Sequence, residues 1–182
     1  IKKTTIIKAS ILKSDGTFGP ISEKTFYFHK AIGKTVVYNS KFASKYSGSG
    51  KKNLIDGLVG SENHNDGYWQ GWEKNNMEII IDLHENKKIN TILCGFLESH
   101  QSWIFLPKSV NISFSSDGKN FINRKKIVLK DGENYNPSNR KEVRFLQLNE
   151  LARFVLITAI NRKECPSWHA GNGGDAWIFS DE

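Results

Sequence analysis

The chain has 182 residues, which suits one domain of ordinary size, and its 38% hydrophobic and 12% aromatic residues can supply a packed core. No run approaches the ~18 consecutive apolar residues that a membrane-spanning helix needs. The net charge is +7, from 26 Lys and Arg against 19 Asp and Glu, but the lysines stand singly or in pairs. Because there is no arginine-rich helix or aromatic RNA-binding motif, this charge predicts a solvated surface. We expect neither nucleic acid nor membrane insertion.

The first 30 residues predict two strands joined by a turn. Residues 4–12 are rich in β-branched side chains and are followed by Ser14-Asp15-Gly16, which is typical of a tight turn. Residues 24–29 form the second strand. Two strands are too few for a stable domain by themselves.

From about Gly33 onward, strand signals recur between turns rich in Gly, Asn, Ser and Asp, and helical periodicity is almost absent. Residues 77–83 are the clearest buried strand, and residues 109–115 alternate cleanly before the turn Ser116-Asp117-Gly118. Further strands are predicted at residues 35–39, 88–98, 121–129, 141–148 and 152–160. About eight period-two strands without a long helix predict an all-β fold, an antiparallel β-sandwich with jelly-roll connections.

The two cysteines give little information about redox environment. Cys94 lies in an apolar strand-like run and Cys165 begins a polar loop, with no Cys-x-x-Cys or Cys/His metal spacing. Free cysteine is commonly buried, so this pattern favours two free thiols over a disulfide.

No catalytic motif is present. The chain lacks a Gly-x-Ser-x-Gly elbow, a His-Glu-x-x-His pair and a phosphate-binding glycine loop. Glu98 with His100, and His169 ahead of Asp175, come closest to an acid–base group, and polar loop contacts explain them equally well. We therefore predict that this part of the protein is not an enzyme.

Five short segments occur in the order found in the coagulation factor 5/8 type C, or discoidin, domain. The segments are Ile55-Asp56-Gly57, Ile81-Asp82-Leu83, residues 115–121, residues 153–157 and residues 177–182. Residues 33–182 resemble this family, which includes the family 32 carbohydrate-binding modules. The resemblance implies a galactose-binding-domain-like sandwich that binds glycans.

Two further stretches, residues 67–72 and 102–107, resemble the C-terminal region of bacterial β-N-acetylhexosaminidases of glycoside hydrolase family 20. This resemblance implies an upstream catalytic domain in the same chain and an extracellular, cell-surface or periplasmic location. It also implies that residues 1–30 are the tail strands of a preceding fibronectin-like domain, or a linker. The module is expected to be monomeric.

In such modules the sugar site lies on loops at one end of the sandwich, where a ring stacks on a pyranose beside polar groups. Four loops, at residues 63–69, 98–103, 135–140 and 165–172, have suitable content. The predicted ligand-binding residues are Trp69, His100, Asn139, Arg140, Trp168 and His169, with Trp168 preferred as the ring. Trp72 and Trp103 are predicted to be core or loop-anchoring residues and Trp177 a core residue. His64 is predicted to be a solvated loop residue. The expected ligand is terminal galactose, GalNAc or GlcNAc.

The resemblance also implies a structural Ca²⁺, with Asp56, Ser61 and Glu182 as its candidate ligands. Calcium takes about six to eight oxygen ligands, many of them from a tight turn. Leu58 and Val59 occupy positions where the family often has Asp or Asn. The alternative is an Asx-turn, in which Asp56 accepts hydrogen bonds from local N–H groups.

Two other functions stay open at this point. The module can be a structural or protein-interaction domain that packs against its parent enzyme without a sugar. It can also bind anionic lipid if residues 104–106 form a protruding apolar loop tip.

Overall fold

The computed structural model describes residues 2–130 and 137–182. Within those residues the chain forms strands and two short 3₁₀ turns, Gly50–Ile55 and His100–Ser102. The strands are β1 (Thr5–Ala9), β2 (Ser22–Phe26), β3 (Thr35–Tyr38), β4 (Gln70–Glu73), β5 (Met77–Ile89), β6 (Ile92–Glu98), β7 (Ser109–Ser115), β8 (Ile122–Val128), β9 (Asn139–Phe145), β10 (Glu150–Ile160) and β11 (Trp177–Ser180). No helix in the described part is long and apolar enough to cross a bilayer.

Two antiparallel sheets enclose the main core. One has the strand order β3-β5-β10-β7-β8 and the other β4-β11-β6-β9. Alternating side chains of both sheets point inward, so that Ile79 and Ile157 of the first sheet share one buried cluster with Phe96 and Ile178 of the second. The predicted all-β antiparallel sandwich is therefore confirmed.

Most predicted strands are present, and β7 has the predicted bounds. β5 is longer than expected, since it continues to Ile89 and takes in the start of the predicted strand 88–98. β4 was not predicted. In this strand Gly71 lies beneath the Phe179 ring of β11, and a Cβ atom on Gly71 would lie 2.7 Å from Phe179 Cε1. Trp72 packs in the core, as predicted.

The β1–β2 hairpin forms a sheet of its own. Its base is attached to the sandwich, because Tyr27 N donates to Gly57 O (2.8 Å) and Lys24 Nζ donates to Val59 O (3.1 Å). Lys24 Nζ also lies 3.6 Å from the centre of the Tyr68 ring. The rest of the hairpin region leaves large apolar side chains exposed at Ile6, Ile7, Ile11, Leu12, Phe18, Ile21, Tyr27 and Phe28. Its assignment to a preceding domain stays a prediction.

One end of the sandwich gathers two long loops. β6 and β10 end there, and β7, β9 and β11 begin there, as the pairings Glu98↔Asn139 and Ile160↔Ser109 show. The loops 99–108 and 161–176 therefore lie side by side, and we call this end the loop rim. Cys94 and Cys165 are both buried and free, as predicted.

Candidate functional site

Trp103 is the most accessible aromatic residue in the two loops of the loop rim, with 40% of the residue exposed. It ends the 3₁₀ turn His100–Ser102 in the left-handed backbone region, at φ 61°. That conformation is unfavourable for a bulky residue and persists only where the surroundings enforce it. Here Trp103 N donates to His100 O (3.0 Å) and Trp103 O accepts from Trp177 N (2.9 Å). The strained turn fixes the direction of the indole.

A glycine-containing loop supports this indole. A Cβ atom on Gly171 would lie 2.8 Å from Trp103 Cε2, and one on Gly174 would lie 2.5 Å from Trp103 Cζ3. Only glycine allows the backbone to approach the ring this closely. Loop 161–176 therefore covers part of the indole, and 40% of the residue stays exposed. Trp103 therefore anchors loop 161–176, which is one of the two predicted alternatives, and it is not a core residue.

Three of the predicted ligand residues lie together beside Trp103. The Trp168 ring is half-buried, with its centre 5.0 Å from that of His100. Both nitrogens of His169 contact the backbone: Nδ1 accepts from Gly171 N (2.9 Å), so Nε2 carries the hydrogen that is donated to His100 O (2.8 Å). His100 and His169 are buried. These histidines hold the two rim loops together and support the aromatic surface from below.

A buried carboxylate lies beneath this cluster. Glu98 Oε1 lies 3.2 Å from His100 Nε2, and Glu98 Oε2 lies 2.8 Å from Lys141 Nζ without hydrogen-bond geometry. Burial lowers the pKa of His100, while the nearby Glu98 charge acts in the opposite direction. Because both groups are inaccessible, they are positioned to stabilise the rim rather than to transfer protons to a ligand. Asn139 is exposed directly opposite Glu98, at the start of β9.

Trp69 and Arg140 do not belong to this surface. Trp69 is 1% exposed, its Nε1 donates to Ser61 O (3.0 Å), and its ring lies against Gly60. Its ring faces are occupied by core atoms, which corrects its prediction as a ligand platform. The Arg140 guanidinium binds Asp181 through two hydrogen bonds, of 2.6 and 3.1 Å. Since Asp181 is fully buried, Arg140 is required to balance its charge, which corrects its prediction as a sugar-binding residue.

His64 is not the solvated loop residue that the sequence predicted. This residue is half-buried, its Nδ1 lies 3.4 Å from Ser102 Oγ, and its ring meets Tyr46 edge-to-face with centres 6.0 Å apart. Burial and then the Lys45 charge lower the pKa of His64. Loop 61–68 therefore contacts the rim next to Trp103. No local sequence signal indicates this contact, which joins residues 38 positions apart. Tyr135 and Asn136, in the predicted loop 135–140, lie outside the described residues.

The candidate calcium ligands only partly come together. Asp56 forms the Asx-turn, since Oδ1 accepts from Leu58 N (2.9 Å) and Oδ2 accepts from Ser49 Oγ (2.6 Å). Glu182 Oε2 accepts from Gly57 N (2.9 Å), and Oε1 contacts His29 Nε2.

Ser61 is engaged elsewhere, because its carbonyl accepts from Trp69 Nε1. Burial raises the pKa of Glu182 and His29 opposes this shift. Across residues 2–130 and 137–182, no group of three or more His, Cys, Asp or Glu side chains is arranged to hold a metal. Each carboxylate oxygen of Asp56 and Glu182 already contacts a protein group, and the calcium ion stays a prediction.

The apolar tip considered for lipid binding is absent from the described surface. Ile104, Phe105 and Leu106 are at most 8% exposed, and each packs in the interior of the sandwich or beneath the rim. Residues 104–106 therefore do not form the protruding apolar loop tip that lipid binding would need.

Two antiparallel sheets around one core, with long loops gathered at one end, define a jelly-roll β-sandwich. The sequence profile described as "F5/8 type C domain" matches residues 36–174, well over half of the chain, and the chain belongs to that family.

Solved structures agree on the fold. A fucose binding module of Streptococcus pneumoniae is 13% identical, with a TM-score of 0.50, over 85% of this chain and 94% of that one. A mutant lectin-binding domain of lectinolysin, solved with Lewis b, is 11% identical, with a TM-score of 0.52, over 85% of this chain and 96% of that one. The comparison with curated proteins finds no significant match.

Proposed function

We propose that this chain is a non-catalytic carbohydrate-binding module whose site is centred on Trp103 and Trp168 at the loop rim. The observation that carries the proposal is the exposed Trp103 indole, held in a strained turn and supported by glycine backbone. An accessible, immobilised ring can stack on the apolar C–H face of a pyranose with little loss of conformational entropy.

Polar groups suited to sugar hydroxyls lie at the same end of the sandwich as the ring. Ser102 and His64 lie on one side of the rim, and Asn139 is exposed at the start of β9. Hydroxyl, imidazole and amide groups can each donate and accept, which matches the paired donor and acceptor roles of a sugar hydroxyl. Because a monosaccharide offers few atoms to bury, single-site affinity is expected to be modest.

The ligand we propose is a terminal hexose: galactose, GalNAc or GlcNAc, with fucose added because similar folds are named for fucose and Lewis b. We further propose that the module serves an exported glycoside hydrolase of the β-N-acetylhexosaminidase type, with the catalytic domain upstream. Tethering would raise the local concentration of the enzyme on glycan surfaces without any change in its chemistry.

The test is a titration of the ¹⁵N-labelled chain with the four monosaccharides, followed by backbone amide shifts. At least one sugar should shift amides of the rim loops. Trp103→Ala and Trp168→Ala should abolish these shifts and leave the remaining spectrum folded. Tyr27→Ala is the matched control, because it removes an exposed aromatic ring from the hairpin, away from the rim. No binding across the panel, or binding by Trp103→Ala equal to that by Tyr27→Ala, would contradict the proposal.

The exposed apolar hairpin favours a second role, contact with a neighbouring domain of the same protein. Groups of exposed apolar side chains often mark protein contacts, and this group includes Ile11 (78% exposed) and Phe18 (71% exposed). If an upstream domain covers them, amide hydrogen exchange in β1 and β2 should be slower in a chain that carries this domain than in these 182 residues. Equal exchange rates in both proteins would argue against the contact.

A further inference from the structure

A second recess lies at the same end of the sandwich, away from the tryptophans. It has a volume of about 420 Å³ and lies between the end of β3, the β4–β5 turn and Lys163, which follows β10. All of its lining residues are polar: Asn39, Ser40, Lys41, Asn75, Asn76, Glu78 and Lys163. A recess without an aromatic or aliphatic wall is unsuited to stacking and suited to a strongly polar ligand.

The walls of this polar recess are fixed by internal hydrogen bonds. Asn39 Nδ2 donates to Glu78 Oε1 (3.0 Å), and Ser40 Oγ accepts from Glu78 N (2.8 Å). The floor is held by Asn161, which is 2% exposed and whose side-chain amide donates to Asn75 O (3.1 Å). Asn161 N also donates to the side chain of Asn76 (3.0 Å). A site that is rigid before binding loses little entropy when a ligand enters.

Two ammonium groups at this recess have no anionic partner. Lys41 and Lys163 are exposed and form no side-chain hydrogen bond or ion pair within residues 2–130 and 137–182. The neighbouring Lys74 differs, because Asp175 pairs with it at 2.6 Å. The one carboxylate of the recess, Glu78, is bound to the amide of Asn39 rather than to a cation. The recess therefore keeps an excess of positive charge.

The backbone at Lys163 gives an independent indication of a constrained site. This residue has φ 77°, in the left-handed region that side chains other than glycine rarely adopt. Two hydrogen bonds hold it there, from Lys163 N to Asn161 Oδ1 (2.8 Å) and from Ala176 N to Lys163 O (3.1 Å). Such strain persists where the surrounding structure enforces it, and it sets the direction in which the Lys163 side chain leaves the backbone.

From this geometry we infer that the polar recess binds an acidic saccharide, a hexuronate or a sulfated hexose. Lys41 and Lys163 contact the anionic group, because ammonium groups bind carboxylate and sulfate as point charges. The amides of Asn75 and Asn76 and the hydroxyl of Ser40 contact sugar hydroxyls. This site is separate from the tryptophan surface, and its ligand differs by carrying a charge.

The test uses the full ¹⁵N-labelled chain with glucuronate, glucose 6-sulfate and neutral glucose. The acidic sugars should shift amides of residues 39–41, 75–78 and 163, and glucose should not. The double variant Lys41→Gln/Lys163→Gln should weaken this binding by about tenfold or more at low salt, where unscreened charge pairs contribute most. The charge-matched control, Lys119→Gln/Lys125→Gln, changes two exposed lysines at residues that do not line the recess.

A response to only one acidic sugar would identify the bound group as carboxylate or as sulfate, and either result supports the recess. Shifts confined to the Trp103 surface, equal shifts with glucose, or equal affinities of the two double variants would overturn the inference. The outcome is independent of the tryptophan site, because Trp103→Ala should leave acidic-sugar binding at the recess unchanged.

Discussion

Asp181→Asn tests whether burial makes the Arg140–Asp181 pair essential for stability. Asp181 is 0% exposed and accepts hydrogen bonds from Arg140 Nε (2.6 Å), Arg140 Nη2 (3.1 Å), Gly60 N (2.8 Å) and Glu182 N (2.6 Å). The asparagine side chain has the shape of aspartate but no negative charge. Its NH₂ group cannot accept the hydrogen bonds that one carboxylate oxygen of Asp181 accepts. Removing one partner of a buried pair costs about 3–5 kcal/mol.

The Arg140 side chain is 19% exposed and can regain some water, so we expect the lower end of that range, about 3 kcal/mol. For a chain of this size, that loss lowers the melting temperature by about 6–12 °C. Thermal unfolding followed by circular dichroism measures the shift.

The matched control is Asp175→Asn, which breaks an ion pair of the same 2.6 Å length whose side chains are 45% and 49% exposed. Solvent screens that pair, so its loss should change the melting temperature little. The reasoning fails if the two variants melt at the same temperature, or if Asp181→Asn lowers it by less than about 2 °C.

Four further outcomes are expected. Gly174→Ala places a Cβ atom 2.5 Å from Trp103 Cζ3, so the indole must move. Tryptophan fluorescence and sugar binding should therefore both change. If neither changes, the glycine loop does not support the ring as described. Burial raises the pKa of Cys94 to about 12, so a water-soluble thiol reagent should label Cys94 only after unfolding by urea. Rapid labelling of Cys94 in the folded protein would contradict its burial.

Backbone N–H groups, first that of Asn120, hold the pKa of Asp117 below its ordinary range. The carboxylate therefore contributes stability above its unfolded pKa that is lost as the pH falls through the folded value, and a carboxyl NMR titration with an ordinary midpoint would exclude this. The Glu182 side-chain carboxylate already pairs with His29, so removal of calcium by a chelator should leave the melting temperature unchanged. A rise in melting temperature when calcium is added would favour the calcium site implied by the family resemblance.

Several strands and turns could be predicted from the sequence because their signals are local. Residues 109–115 alternate because Val110, Ile112 and Phe114 all face the main core. Ser115 and Asp117 close the following turn through hydrogen bonds within three residues. β4 escaped detection because it has only four residues and its packing depends on Phe179, more than a hundred positions away. Propensity describes a segment by its neighbours in sequence, so short strands that depend on remote contacts give a weak signal.

The amino-acid sequence alone determined the all-β class, most strand positions, the free thiols and the family of the module, because alternation, turn residues and motif order are local properties. The tertiary structure decided which tryptophan is accessible. Trp69 is covered by Phe179 and its neighbours, whereas Trp103 lies on glycines about 70 positions later in the chain and stays open. Arg140 was lost from the candidate site for the same reason, since its partner Asp181 comes from the last strand region. Exposure depends on contacts between distant segments, and only the folded chain brings those segments together.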